Sequence, residues 1–152
     1  MAEVYVSCVF NQSIEAVWRV LRDFNSISRW LPAVSKGDIE NGLAPDQIGA
    51  IRRFYLQPGD ALVRERLLAL SDLEHSCSYS LLEGPLPVRN LVGEMRLFEI
   101  SETAATFGTW RATFDVDEKD RQTATDQLTN LYAGGWGNLK QILDAVACPQ
   151  TR

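Results

Sequence analysis

Arg52 and Glu65 flank the segment Gln57-Pro58-Gly59-Asp60 within two runs rich in apolar residues. A carboxylate beside a guanidinium on an apolar wall can do acid–base chemistry. The carboxylate takes a proton, and the cation stabilises the oxyanion or enolate that develops. Whether the two side chains meet is a question of register. If Pro58 and Gly59 form a hairpin loop, Gln57 faces Asp60, Phe54 faces Val63 and Arg52 faces Glu65. Alternation then puts Arg52, Phe54, Val63, Glu65, Leu67 and Ala69 on one face, while Arg53, Arg64 and Arg66 mark the opposite face as solvent-facing. Arg52 and Glu65 become the only charges on the inward face. They read equally as an ion pair that satisfies itself, adding little net stability, or as a pair that a ligand uses.

Other chemistry is poorly supplied. His75 is the only histidine and sits in a polar turn (SDLEHS), which argues against a Ser-His-Asp triad or a histidine metal centre. Cys8, Cys77 and Cys148 are odd in number and far apart, without a C-x-x-C pair, so they read as reduced thiols. No metal or redox cofactor is expected. A net charge of -5 argues against a nucleic-acid partner. No apolar run approaches the roughly 18 to 20 residues of a membrane span, and no signal peptide is evident, so the expected location is the cytoplasm. The expected assembly is a monomer or a homodimer.

The length of 152 residues suggests one domain over 1–152, large enough to bury a substantial core. "EVYVSCVF" predicts a strand, and Ser13 is an N-cap for a helix whose stripe is Ile14, Val17, Trp18, Leu21 and Phe24. "SISRWLP" predicts a short second helix ended by Pro32. From about 34 to 114 the chain reads as six successive strands, which must be mostly antiparallel because no helix separates them. The tail returns to helical period, with a stripe through Leu128, Leu131, Tyr132, Gly135, Leu139, Ile142, Leu143 and Val146. The result is an α+β fold, a curved seven-stranded antiparallel sheet packed on a long C-terminal helix. Three glycines, Gly134, Gly135 and Gly137, interrupt that helix in "LYAGGWGNLKQIL", each weakening it by about 1 kcal/mol relative to alanine.

"IEAVWRVLRDFNSISRWLPAV", "GAIRRF", "VRERL", "YSLLEGPLPVRNLVG", "GTWRATF" and "LYAGGWGNLKQIL" together resemble the polyketide cyclase/dehydrase group of the START-like (SRPBCC, birch-pollen-allergen-like) superfamily over nearly the whole chain. The resemblance implies a helix-grip fold with a deep cavity for hydrophobic molecules between the sheet and the C-terminal helix. It implies that the three glycines clear space where the helix roofs the cavity, or allow close approach of the sheet; a kink or packing contact is the plainer reading. Relatives similar to lachrymatory factor synthase use an arginine and a glutamate on adjacent strands for proton transfer, at the positions of Arg52 and Glu65. Relatives that carry a tyrosine after Pro-Val-x-Asn differ here, where Leu91 follows Asn90. Tyr79 is a substitute for that tyrosine or a core residue.

Candidates for the cavity wall are Trp30, Phe54, Val63, Tyr79, Leu91, Trp110, Tyr132, Gly135 and Trp136. Trp110 shares a strand face with Ala112 and Phe114, and Tyr132 and Trp136 lie one helical turn apart. Trp30 falls where the resemblance places the cavity mouth, and the two prolines of "EGPLPVRN" suggest a stiff rim with Asn90 capping its turn. Three functions follow. The first is binding of a small hydrophobic molecule whose polar end is oriented by Arg52 and Glu65. The second is a cofactor-independent cyclase, dehydratase or isomerase with Glu65 as base. The third is a structural or partner-binding domain whose cavity is filled by its own side chains.

Overall fold

The computed structural model describes residues 1–147, so Cys148 lies outside the described residues. Strand β1 (Ala2–Phe10) is followed by helix α1 (Ile14–Leu21), a 3-10 turn at Phe24–Ser26 and the short helix α2 (Ile27–Trp30). The Ser13 side chain accepts from the backbone N–H of Ala16, as an N-cap does. α1 stops short of Phe24, because the Asp23 carboxylate accepts the Asn25 N–H and starts a new turn there. Phe24 is nevertheless buried, so the apolar stripe survives the break. α2 ends at Leu31, whose backbone is extended ahead of Pro32 as the proline ring demands.

Six strands follow: β2 (Val34–Ile39), β3 (Ile51–Leu56), β4 (Ala61–Ser71), β5 (Ser76–Glu83), β6 (Val88–Ile100) and β7 (Ala105–Val116). With β1 they make one antiparallel seven-stranded sheet in the order β1-β7-β6-β5-β4-β3-β2. The curved sheet packs on helix α3 (Arg121–Ala147), which lies against β1 and also reaches β7 and α2. Arg52 stands opposite Glu65 and Phe54 opposite Val63, so the hairpin keeps the register that its turn residues predict.

The alternation fails further along β4. A bulge between Leu67 and Ala69 turns Ala69 out to solvent and brings Leu70, opposite Cys77, against the core in its place. α3 departs from its predicted stripe at both ends. Ala124 is buried one turn before Leu128, while Ile142 and Val146 are exposed and only Leu143 of the last turns packs against the core.

Candidate functional site

Arg52 and Glu65 project from adjacent strands into the space between the sheet and the helices. The Arg52 Nε–H donates to Glu65 Oε2 at 2.6 Å, and Nη2 lies 2.6 Å from the same oxygen. Nη1–H donates to the Phe24 carbonyl at 3.0 Å. The guanidinium carbon sits 4.0 Å from the Phe24 ring centroid and 5.0 Å from that of Tyr79, so the cation is held between two aromatic faces. With the pair almost wholly desolvated, either charge alone would be expensive there. Among the described residues, no donor pairs with Glu65 Oε1.

Next to the pair lies a chain of three polar aromatics. Trp110 Nε1–H donates to the Tyr79 hydroxyl at 2.9 Å, and the Tyr79 and Tyr132 hydroxyls are 3.2 Å apart. Trp110 and Tyr132 stack, with ring centroids 4.0 Å apart and planes 7° from parallel. Burial pushes both tyrosines above their ordinary range, and the nearby Glu65 carboxylate acts in the same direction. Tyr79 fits because its cross-strand neighbour is Gly93, where a Cβ would overlap the phenol ring.

An apolar crevice of about 50 Å³ opens beside these groups, between β3–β7, α2 and the Leu128–Tyr132 stretch of α3. Phe54, Val63, Glu65, Tyr79, Leu91, Trp110 and Tyr132, all candidates from the sequence, line it. Glu65 is its only charged lining residue. Its size is that of one or two water molecules, each about 30 Å³, so it is a narrow cleft where the resemblance implied a deep cavity.

Arg52, Trp30, Gly135 and Trp136 do not line the crevice. Arg52 stands behind Glu65. Trp30, Trp110 and Trp136 interlock, with Trp30 and Trp136 stacked at 6.0 Å and Phe10 edge-on to Trp136 at 5.4 Å. This plug closes one end of the interface, which is why the two tryptophans are core rather than wall. Trp30 is fixed by its own Nε1–H to Ser26 Oγ and by Asn138, whose amide donates to the Trp30 carbonyl at 2.7 Å. Gly135 serves close approach: a Cβ there would lie 2.6 Å from Leu31 Cδ1 and 3.1 Å from both Trp30 and Trp110. Gly134 and Gly137 face outward with nothing within 4 Å, so they clear no cavity space.

Several lining residues carried no sequence signal of their own. Ile27, Leu31, Leu56, Leu81, Leu86, Leu128 and Leu131 are generic apolar residues that only the fold brings together, of which Leu56, Leu81, Leu86 and Leu131 are half-buried. The rim between β5 and β6 contributes Gly84, Pro85 and Leu86. Asn90 beyond it adopts the left-handed conformation, φ 52°, at a bulge in β6 and donates to Asp115. His75 is indeed a turn residue, φ 48°, but it also rests edge-on against Trp18 at 5.9 Å. Among the described residues no group of acidic, histidine and cysteine side chains could hold a metal ion. No helix among them is long and apolar enough to cross a membrane.

Among solved structures, the protein XoxI from Bacillus cereus is 28% identical, with a TM-score of 0.85 covering 97% of this chain and 100% of that one. A protein from Bacillus thuringiensis is 26% identical, with a TM-score of 0.82 covering 93% of this chain and 98% of that one. A third, from Thermobifida fusca, shares the fold at 22% identity and a TM-score of 0.85, covering 97% of this chain and 96% of that one. No curated protein matches the chain. The family model for polyketide cyclase / dehydrase and lipid transport matches residues 1–144, and the chain belongs to that family.

Proposed function

We propose that the protein binds a small, mainly apolar molecule in the crevice between the sheet and α3. The observation that carries this reading is the make-up of the wall: a continuous apolar lining with one charged side chain, Glu65, at its edge. Apolar burial supplies affinity and the few polar atoms fix orientation. Family membership supports a hydrophobic ligand. Ligand pockets usually enclose about 300 to 1,000 Å³, so uptake of anything larger than a fragment requires the half-buried Leu86 and Leu131 to move apart. The test is titration with the neutral probe N-phenyl-1-naphthylamine. Saturable fluorescence enhancement is expected, weakened by Leu131→Trp, which fills the crevice; the absence of saturable uptake would overturn the proposal.

A second reading, proton transfer by Glu65, is favoured by one detail. Both arginine nitrogens converge on Oε2, leaving Oε1 without a protein donor beside the crevice. Arg52 would then position and charge-balance the carboxylate rather than touch substrate. Glu65→Gln preserves shape but cannot accept a proton at neutral pH. Probe uptake should persist, and turnover of a substrate found by screening cyclisable carbonyl compounds should fall by about 10² to 10⁴-fold. Unchanged turnover would leave binding as the sole activity.

A further inference from the structure

Given the ligand binding proposed above, we infer that the crevice takes uncharged molecules through a carbonyl-type oxygen, which accepts a surplus hydroxyl proton from the Tyr79–Tyr132 pair. A count of donors and acceptors leads to this chemistry. The indole of Trp110 can only donate, and it donates to Tyr79 Oη. The two hydroxyls share one contact, which uses one of their two protons. Whichever tyrosine donates across it, the other proton has no acceptor among the described residues. Both tyrosines are almost completely buried and both line the crevice, so that proton can be satisfied only from inside it. Burial holds both phenols in their protonated form at neutral pH, so the donor is permanent.

The charge of the wall narrows the ligand further. Glu65 is the only charged lining residue, and Arg52, which balances it through Glu65 Oε2 and also bonds the Phe24 carbonyl, does not line the crevice. A carboxylate ligand would meet a like charge with no free cation on the wall, so fatty-acid anions are disfavoured. A ketone or aldehyde offers an acceptor without a charge. Its carbonyl oxygen completes the Trp110, Tyr79 and Tyr132 chain, in which successive hydrogen bonds polarise one another.

Acetophenone, ethylbenzene and benzoate share one phenyl ring and differ in this one respect. Their binding to the whole protein can be compared by NMR-detected titration, following amide shifts of the crevice residues. The ketone should bind about 3- to 10-fold more tightly than the hydrocarbon, the gain of one net hydrogen bond, and benzoate should bind least. Tyr79→Phe/Tyr132→Phe removes both hydroxyls but keeps both rings, and should bring the ratio of ketone to hydrocarbon affinity to about one. Should that variant fail to fold, the wild-type protein still decides: the stretch of carbonyl-13C acetophenone should move to lower wavenumber on binding, relative to the molecule in hexane. Ketone and hydrocarbon binding equally, a preference that survives in the folded double variant, or an unshifted stretch would overturn the inference while leaving hydrophobic binding intact. Binding of none of the three would overturn the binding proposal and this inference together.

Discussion

At the Gly135 end of the helix–sheet interface, three tryptophans and Phe10 interlock, and even a methyl group on the helix would crowd Leu31, Trp30 and Trp110. At the Leu128–Leu131 end the same helix faces the same sheet across a crevice, with an ion pair and a hydrogen-bonded aromatic chain behind it. The difference lies in what each end demands of its side chains. Indoles interlock over large areas and tolerate no gap, so the packed end fixes where α3 lies. The crevice end is lined by aliphatic side chains around a gap, and its polar groups are not all partnered: Glu65 Oε1 has no donor and one tyrosine proton no acceptor among the described residues. One end is a fixed support, and the other is what it supports.

The sharpest way to break this comparison is to unbalance the charge behind the crevice. Arg52→Met leaves Glu65 desolvated without its partner, which should destabilise the fold by about 3 to 5 kcal/mol. Adding Glu65→Leu removes the orphaned charge and should restore much of the loss, since replacing both partners of a buried pair by apolar groups is often neutral. Chemical denaturation of the single and double variants measures both quantities. A single variant as stable as the wild type would show that the pair is hydrated in solution and that the rear of the crevice is wet.

Alkaline pH probes the same end from a neighbouring strand position. Burial pushes the fully buried Cys77 thiol up to about 11 from its ordinary 9.0, with the nearby Arg52 only partly offsetting it. A group whose pKa is raised by folding gives stability that is intact below the unfolded value and lost as pH rises through the folded value. The contribution should therefore hold below pH 9 and decline between 9 and about 11. Two units correspond to about 3 kcal/mol for a fully buried group. Cys77→Val should flatten that decline. Cys8, half-buried and raised to about 11 by burial, leaves a residual slope from about pH 9. The buried Tyr79 and Tyr132, raised above their ordinary 10, add to it at higher pH, so the comparison is read between pH 9 and 10. A decline of equal depth in the variant would remove Cys77 as its cause.

How much of this the sequence made legible depends on the range of the contact involved. The Arg52–Glu65 meeting is local, spanned by one hairpin whose turn residues set its register, so it could be worked out from spacing alone. The flip from Ala69 to Leu70 needs a bulge of one residue that leaves no mark in a run of alternating apolar residues. The aromatics were legible as candidates but not as two populations. Trp30 and Trp136 fall in the plug and Tyr132 at the crevice because of where α2 meets α3, a contact set by Asn138 across more than a hundred residues of chain. The glycine that seats Tyr79 is on another strand, and nothing about Gly93 in isolation names its neighbour.

The three helical glycines give the finest comparison, because they test volume against propensity at nearly the same place. Replacing a helical glycine by alanine stabilises the helix by about 1 kcal/mol through backbone entropy. At Gly134 and Gly137 nothing opposes that gain, since the added methyl meets open space and neither residue has a positive φ. Gly134→Ala should therefore raise stability by about 1 kcal/mol, and Gly137→Ala by a similar amount. At Gly135 the same methyl would stand 2.6 Å from Leu31 and 3.1 Å from two indole rings, and overpacking of this kind typically costs about 1 to 3 kcal/mol. The overpacking term exceeds the propensity gain over most of its range, so Gly135→Ala should lower stability by up to about 2 kcal/mol. The opposite signs are the test, read as shifts in denaturation midpoint at unchanged m-value. A gain in stability at all three positions would return Gly135 from the packed end to the open one.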